Sequence, residues 1–439
     1  MRFKNNHLTS WNKNPISTPS SILNPNWLDE CSGILNLIDD KYTAYGMGRS
    51  YGDCCLSDNG ISIKTKNLNR FLYFDEENGI LRVESGVTIK MILNFLINKN
   101  WILPVVPGTQ YVTIGGAIAN DVHGKNHHTQ GTFGCSILKI GLLRAKTEII
   151  ECSFEHDAQL FSATISGLGL TGLILWAEIK LKKIPSLFLE VEQKPFYSLP
   201  EYFSLTQEAE RNYEYNAAWI DCQAKENNEI RGLLQCANWC ESPKQKKINS
   251  KKPIRLPFHF PKNTLNSFSI KLFNQLYFNK EKRKKASKVF YADYLFPLDN
   301  ILEWNKLYGK KGFYQYQCVI PNESSAEGMR HLLLQIGISK QGSFLSVLKN
   351  FGDMVSPGMM SFPMPGCTLA LDFQNRGEKT LELFEKLDMI LLQYGGRLYP
   401  AKDARMSSFT FKKMYPQWTE FEKYIDPHCY SLFWKRVML

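Results

Sequence analysis

Between residues 40 and 185, short apolar runs alternate with glycine turns. ISIKT at 61–65 and ILRVES at 80–85 predict strands, and WILPVVPGT, starting at Trp101, predicts a strand followed by a turn. Thr88 stands where it can cap a helix through MILNFLINK. SILKIGLLRA (136–145) and TEIIEC (147–152) continue the strand texture, and Asp157 is placed to open a helix, DAQLFSATIS. AEIKLKKI (177–184) alternates apolar and polar residues with period two, as a half-exposed strand requires. The pattern is that of an α+β module with mixed strands.

From about residue 186 aromatic residues become denser, in FYSLPEYFSL, YEYNAAWIDC, VFYADYLFPLD and GFYQYQCVIP. Two helix patterns, AEGMRHLLLQIGISKQG and EKTLELFEKLDMILLQYGG, each precede a strand-like segment. The tail, GGRLYPAKDARMSS, returns to the glycine-led polar texture of the first module. There is no internal repeat and no low-complexity tract.

A chain of 439 residues has room for two or three domains. It has no run of eighteen apolar residues and no apolar core of a secretory signal near Met1, so a cytoplasmic protein is expected. Eleven scattered cysteines fit reduced thiols. The close pairs, Cys54–Cys55 and Cys236/Cys240, lack the second half of a zinc site. The net charge of +11 resides in two segments. Residues 244–262 hold seven basic residues and no acid, and residues 280–288 hold six basic residues and one acid. Both interleave with apolar stretches, IRLPFHF and LFNQLYF, which suits contact with an anionic membrane surface or a lipid phosphate. A solvated loop serving solubility is the plainer alternative. A nucleic-acid binder spreads its charge over a folded face, so no nucleic-acid partner is expected.

The loops carry the chemistry. GLGLTG at 167–172 matches the dinucleotide fingerprint in letters, yet a helix pattern precedes it and a strand follows, the reverse of the order that motif needs. KYTAYGMGRSYGDCC (41–55) and VVPGTQYVTIGGAIANDVHG (105–124) are separated by a strand–helix–strand unit. Glycines there let backbone N–H groups approach an anion, and two such loops point to one extended anionic ligand gripped from two sides. His123, His127 and His128 have no carboxylate or cysteine at ligand spacing, so no metal is expected; His127 and His128 read as structural.

GMGRSYGD, PGTQYVTIGGAIANDVHGKNHH and GLTGLI together resemble the FAD-binding domain of the vanillyl-alcohol-oxidase superfamily. YQYQCVIP, SFLSVLKNFG, SFPMPG and GGRLYPAKDAR extend the resemblance, over roughly residues 40–439, to the branch that oxidises polyprenyl-phosphoryl ribose. It implies an α+β, two-domain FAD fold made of residues 1–186 plus 397–439, with a substrate domain on an antiparallel sheet inserted at 187–396. It implies cofactor contacts from Gly46, Met47, Gly48, Arg49, Ser50, Tyr51, Gly52, Gly108, Thr113, Ile114, Gly115, Gly116, Asn120, Asp121, Val122, His123, Ile174 and Tyr399. Lys402, His123 and Tyr51 would be catalytic, and Lys125, Trp219, Gln315, Gln317, Lys349, Phe351, Thr368 and Ala370 would meet substrate. Lys402 would stand nearest the reactive hydroxyl, as a base of lowered pKa or as a cation stabilising the alkoxide; a salt bridge to Asp403 is its plainer role. Arg49 occupies the place where relatives that tether FAD covalently carry histidine, so the resemblance implies noncovalent FAD.

The implied reaction is oxidation of the ribose C2 hydroxyl to a ketone, with hydride passing to flavin N5. It would be the first half of an epimerisation that a short-chain dehydrogenase completes, in supply of cell-wall arabinan. Electrons would leave to a quinone, and the enzyme would sit peripherally on the membrane. An aldonolactone or alditol oxidase acting on a free sugar shares fold and cofactor and is the nearest rival; a flavin-free nucleic-acid binder is the remote one. One departure bears on specificity: many relatives carry a cysteine before the V-D-F segment, whereas GCTLALDF places Ala370 there and Thr368 where asparagine is usual. Nitroaromatic compounds that trap that cysteine are therefore expected to leave the intact mass of this protein unchanged after turnover.

Overall fold

The computed structural model describes residues 7–222, 230–241, 253–261, 264–284 and 286–439. Most of the basic segment expected at 244–262 lies outside the described residues. Three parallel strands, in the order Ser21–Leu23, Ile61–Lys64 and Tyr42–Tyr45, form a small sheet. Beside it lies an antiparallel five-stranded sheet in the order Ile149–Ser153, Ile137–Leu143, Leu173–Lys180, Ile80–Glu84 and Phe71–Asp75. The helix Ile89–Leu96 follows from its sequence. Thr88 accepts from the Met91 N–H at 3.3 Å, and Ile89, Ile92, Leu93 and Leu96 fall on one buried face. Each of these side chains contributes roughly 2 kcal/mol by leaving water. Asp157 precedes the helix Ala158–Thr164 but makes no side-chain cap. Its backbone is left-handed, φ 52°, and its carboxylate faces exposed His156 at 3.7 Å. The GLGLTG loop lies between that helix and the strand Leu173–Lys180, in the order the sequence pattern predicts.

The second half of the chain builds an eight-stranded antiparallel sheet. Its order is Ser287–Phe290, Phe188–Phe196, Gly232–Trp239, Tyr215–Ile220, Ser346–Phe351, Gly366–Gln374, Phe313–Pro321 and Arg397–Leu398. The helices Leu199–Asn212, Asn322–Ser339 and Glu378–Gln393 cover it with leucines and other apolar residues of their inward faces. Mixed helices and predominantly antiparallel sheets make this an α+β protein. Among the described residues, no helix is long and apolar enough to cross a membrane.

The tail joins both halves. Arg397 and Leu398 pair with Val319 and Cys318 at the edge of the large sheet. The chain then runs back along the loop after Tyr45. The Tyr51 N–H donates to Ala401 O at 2.9 Å, and the Leu432 N–H donates to Leu56 O at 2.8 Å. Arg436 ties the two segments by charge, reaching Asp53 at 2.7 Å and Asp403 at 3.0 Å. Glycine is required at position 52, because a Cβ there would fall 1.5 Å from Asp403 O. Gly52→Ala is expected to cost about 3 kcal/mol or more, since backbone rather than a mobile side chain must yield. Chemical denaturation checks this; an unchanged midpoint would contradict the packing described.

Candidate functional site

Loops from both sheets and the tail enclose a cavity of about 1070 Å³. One wall is the loop following the strand Tyr42–Tyr45, contributing Gly46, Met47, Gly48, Arg49, Ser50 and Tyr51. A second wall runs from Gly108 through Thr113, Gly115, Gly116, Asn120 and Val122 to His123 and Lys125, with Ile174 beside it. The large sheet supplies Trp219, Gln315, Gln317, Lys349, Thr368 and Ala370, and the tail supplies Tyr399 and Lys402. Four expected residues stand outside the wall. Gly52 packs on Asp403, and Ile114 lies in the apolar core. Asp121 is a loop clamp: one carboxylate oxygen accepts from the Ser356 and Ser361 hydroxyls and the other from the Gly134 N–H at 2.9 Å. Phe351 lies behind the cavity, against the rings of His123 and His127 at 4.9 and 4.6 Å. His127 is buried and His128 bonds Tyr213 O at 2.8 Å; neither lines the cavity.

The first wall fits an anion. Gly48 has φ +58°, and the N–H groups of Gly48, Arg49 and Ser50 donate to no acceptor among the described residues. The Arg49 guanidinium sits 4.4 Å over the Trp11 ring and 5.7 Å from that of Tyr111, without an ion pair among the described residues.

The opposite side is more cationic still. Lys349 is buried, its amine donating to Gly124 O at 2.6 Å; burial, then the charge of Lys125, pushes its pKa down to about 7. Lys125 donates to Tyr294 O at 2.6 Å over that residue's ring, and burial pushes it down to about 8. The Lys402 amine lies 3.6 Å from the Tyr51 ring centroid. Burial pushes Lys402 down while the Asp372 carboxyl opposes this, and burial pushes Asp372 up. Lys125 and Lys402 keep exposed surface because it faces the cavity. Among the described residues none of the three lysines forms an ion pair, so an anion bound in the cavity would favour their charged forms.

His123 is held neutral by burial first and by the charges of Lys349, His127 and Lys402 next. Its ring is boxed by Phe351, Phe362 and Tyr399. Nε2 lies 3.1 Å from the Gln317 amide nitrogen, so a neutral ring accepts there and carries its proton on Nδ1, which has no partner. His123 is therefore a neutral ring that accepts from Gln317 and positions its amide. Burial holds the Tyr51 phenol well above its usual range.

Sequence reasoning missed Asp372. It was legible: Thr368, Ala370 and Asp372 alternate along one strand, and all three line the cavity. Gln315, cross-strand from Asp372, donates to its carboxylate at 2.6 Å. Trp11, Tyr111, Asp299 and Trp304 also line the cavity, and no short-range pattern marked them.

Residues 19–153 match the FAD binding domain family. Over 400 residues the chain is 34% identical to decaprenylphosphoryl-β-D-ribose oxidase of Mycolicibacterium smegmatis, covering 88% of this chain and 86% of that protein. The chain belongs to the decaprenylphosphoryl-β-D-ribose oxidase family. An uncharacterized protein in the mprA 5′ region of Streptomyces coelicolor is 26% identical over 78% of the chain and 96% of its own length. L-gulonolactone oxidase of Mus musculus is 27% identical over 43% of the chain and 42% of its own length. This family member is an FAD-dependent oxidoreductase acting on CH–OH donors. Its residues fit the cofactor: the open N–H groups of 48–50 and the Arg49 guanidinium suit a pyrophosphate, and the apolar cavity between the loops suits a flavin ring system.

Lys402 and Asp372 titrate as a pair, so the pH dependence belongs to both. We propose the neutral Lys402 amine as the base, which becomes available as pH rises. The rate of anaerobic flavin bleaching by substrate is therefore expected to rise with pH through the neutral range. Asp372→Asn removes the carboxylate that favours the charged amine and shifts that limb to lower pH. Lys402→Met lowers the rate at least about 100-fold and abolishes the limb. Stopped-flow spectroscopy across pH measures both; a limb unaffected by either substitution would remove the pair from the chemistry.

Proposed function

We propose that this family member oxidises the C2 hydroxyl of a polyprenyl-phosphoryl ribose to a ketone, the first half of an epimerisation that a separate short-chain dehydrogenase completes. The observation that carries the reading is the pair of desolvated amines, Lys125 and Lys349, which line the same cavity as Lys402, donate only to backbone carbonyls and have no ion-pair partner among the described residues. A flavin pyrophosphate is served by the glycine loop. Two further desolvated cations call for a second anion, which a phosphorylated sugar carries and a free sugar lacks. Bound FAD supplies the two-electron acceptor, at flavin N5. Lys402 takes the hydroxyl proton, the Gln315 and Gln317 amides orient the ribose with His123 holding the Gln317 amide in place, and Trp219 closes the sheet side of the pocket.

In this reading residues 1–186 and 397–439 hold FAD, and residues 187–396 hold the lipid-linked substrate. Electrons pass on to a quinone, and the enzyme works in the cytoplasm at the membrane surface, feeding arabinan synthesis. FAD is bound noncovalently, because Arg49 has no atom able to form the tether a histidine makes.

Anaerobic addition of a short-chain polyprenyl-phosphoryl ribose is expected to bleach the flavin band; bleaching by free sugars alone, with peroxide released in air, would establish the aldonolactone or alditol alternative. Lys349→Met is expected to raise the KM for the phosphorylated substrate by about tenfold to a hundredfold while leaving flavin content intact. Acid precipitation is expected to release all the yellow colour into the supernatant.

A further inference from the structure

The helix Ser267–Glu281 carries large apolar residues on its outer as well as its inner side. One side is buried: Ile270, Phe278 and Glu281 pack inward, and Asn274 donates to Asp221 at 2.8 Å. The other side carries Phe268, Leu272 and Leu276, four residues apart on one stripe, exposed by 76%, 49% and 62%. Phe273 flanks the stripe and is 46% exposed. An apolar stripe left exposed on a helix already packed by its opposite side calls for an occupant.

Two observations identify that occupant as a bilayer. The first is continuity with the cavity. Phe273 and Tyr277 line the cavity mouth and stack at 5.9 Å, and Tyr277 meets Trp219 inside at 4.9 Å. Aromatic rings thus run without interruption from the outward stripe to the substrate side of the pocket. The second is charge. Lys271, Lys280, Arg283 and Lys284 stand exposed on and just beyond the same helix, as a surface meeting anionic headgroups requires. A protein partner matching this stripe would need acids set around an apolar groove; a bilayer offers both features without being built for the purpose.

We infer that the outward stripe of Ser267–Glu281 seats the enzyme in an anionic bilayer, with Phe273 and Tyr277 forming the passage by which a lipid-linked substrate enters from the membrane. The inference rests on the lipid-linked substrate proposed above, and its test contains no substrate. FAD-loaded full-length protein is sedimented with vesicles of equimolar phosphatidylcholine and phosphatidylglycerol, and with phosphatidylcholine alone. Binding to the anionic vesicles is expected. The variant Phe268→Ser/Leu272→Ser/Leu276→Ser should bind at least about tenfold more weakly, with flavin absorbance and melting temperature retained. The control Ile338→Ser/Met389→Ser, which removes exposed apolar side chains from the helices covering the large sheet, should bind as the parent does. If the triple variant does not fold, Lys271→Gln/Lys280→Gln should weaken binding to the anionic vesicles alone.

Absence of vesicle binding, or equal binding by the stripe and control variants, would overturn the inference. So would a parent dimer that the triple variant converts to monomer without any vesicle binding, since the stripe would then cover a second copy. Stripe-dependent binding without flavin bleaching by polyprenyl-phosphoryl ribose would remove the substrate reading alone. Bleaching without vesicle binding would remove this one alone.

Discussion

The site depends on one ionic junction, the Arg436 guanidinium shared between Asp53 and Asp403. Asp53 belongs to the glycine loop and Asp403 follows Lys402, so this junction sets the lysine amine opposite the loop. Both carboxylates are buried, and an uncompensated charge there would be expensive enough that the contact is made or the region opens. Gly52 lets the two backbones meet, and the Tyr51 N–H bond to Ala401 fixes their register. A residue more than 350 positions away in sequence thereby becomes a neighbour of Tyr51, whose ring lies beneath its amine.

From that junction the cavity acquires its electrostatic character. Lys125, Lys349 and Lys402 are held where water is scarce, and among the described residues no carboxylate pairs with Lys125 or Lys349. Such an arrangement costs folding free energy until an anion arrives, and binding then recovers what folding gave up. The aromatic box around His123 serves the same end by excluding water and keeping the imidazole neutral. Ala370 and Thr368 give this wall small side chains and no thiol.

Much of this was legible in the sequence, for identifiable reasons. The helix Ile89–Leu96 carries both its cap and its apolar period, and the strand of residues 80–84 alternates, so local rules sufficed. The reversed order around GLGLTG excluded a dinucleotide loop, although Gly169 and Gly172 do line the cavity. Other features were hidden. The helix Ser267–Glu281 carries large apolar residues outside as well as inside, and polar Asn274 and Glu281 inside, which blurs the period that would reveal it. Asp157 has the residue type of a cap but a left-handed backbone that turns it away. Asp121 resembled a cofactor residue because it sits in the glycine loop, yet it is fully engaged in closing that loop on Ser356 and Ser361.

By itself the sequence determined what is written in short windows: the glycine-rich loops, the capped and alternating elements, and the basic segments. Only the tertiary structure decided which charges lack partners, that Asp372 faces Lys402, and which apolar stripe remains uncovered. The physical reason is that burial and ion pairing are properties of surroundings assembled from distant segments. Each segment states what its side chains can do; the packing of the tail on the loop and of the sheets around the cavity sets what is left for a ligand to satisfy.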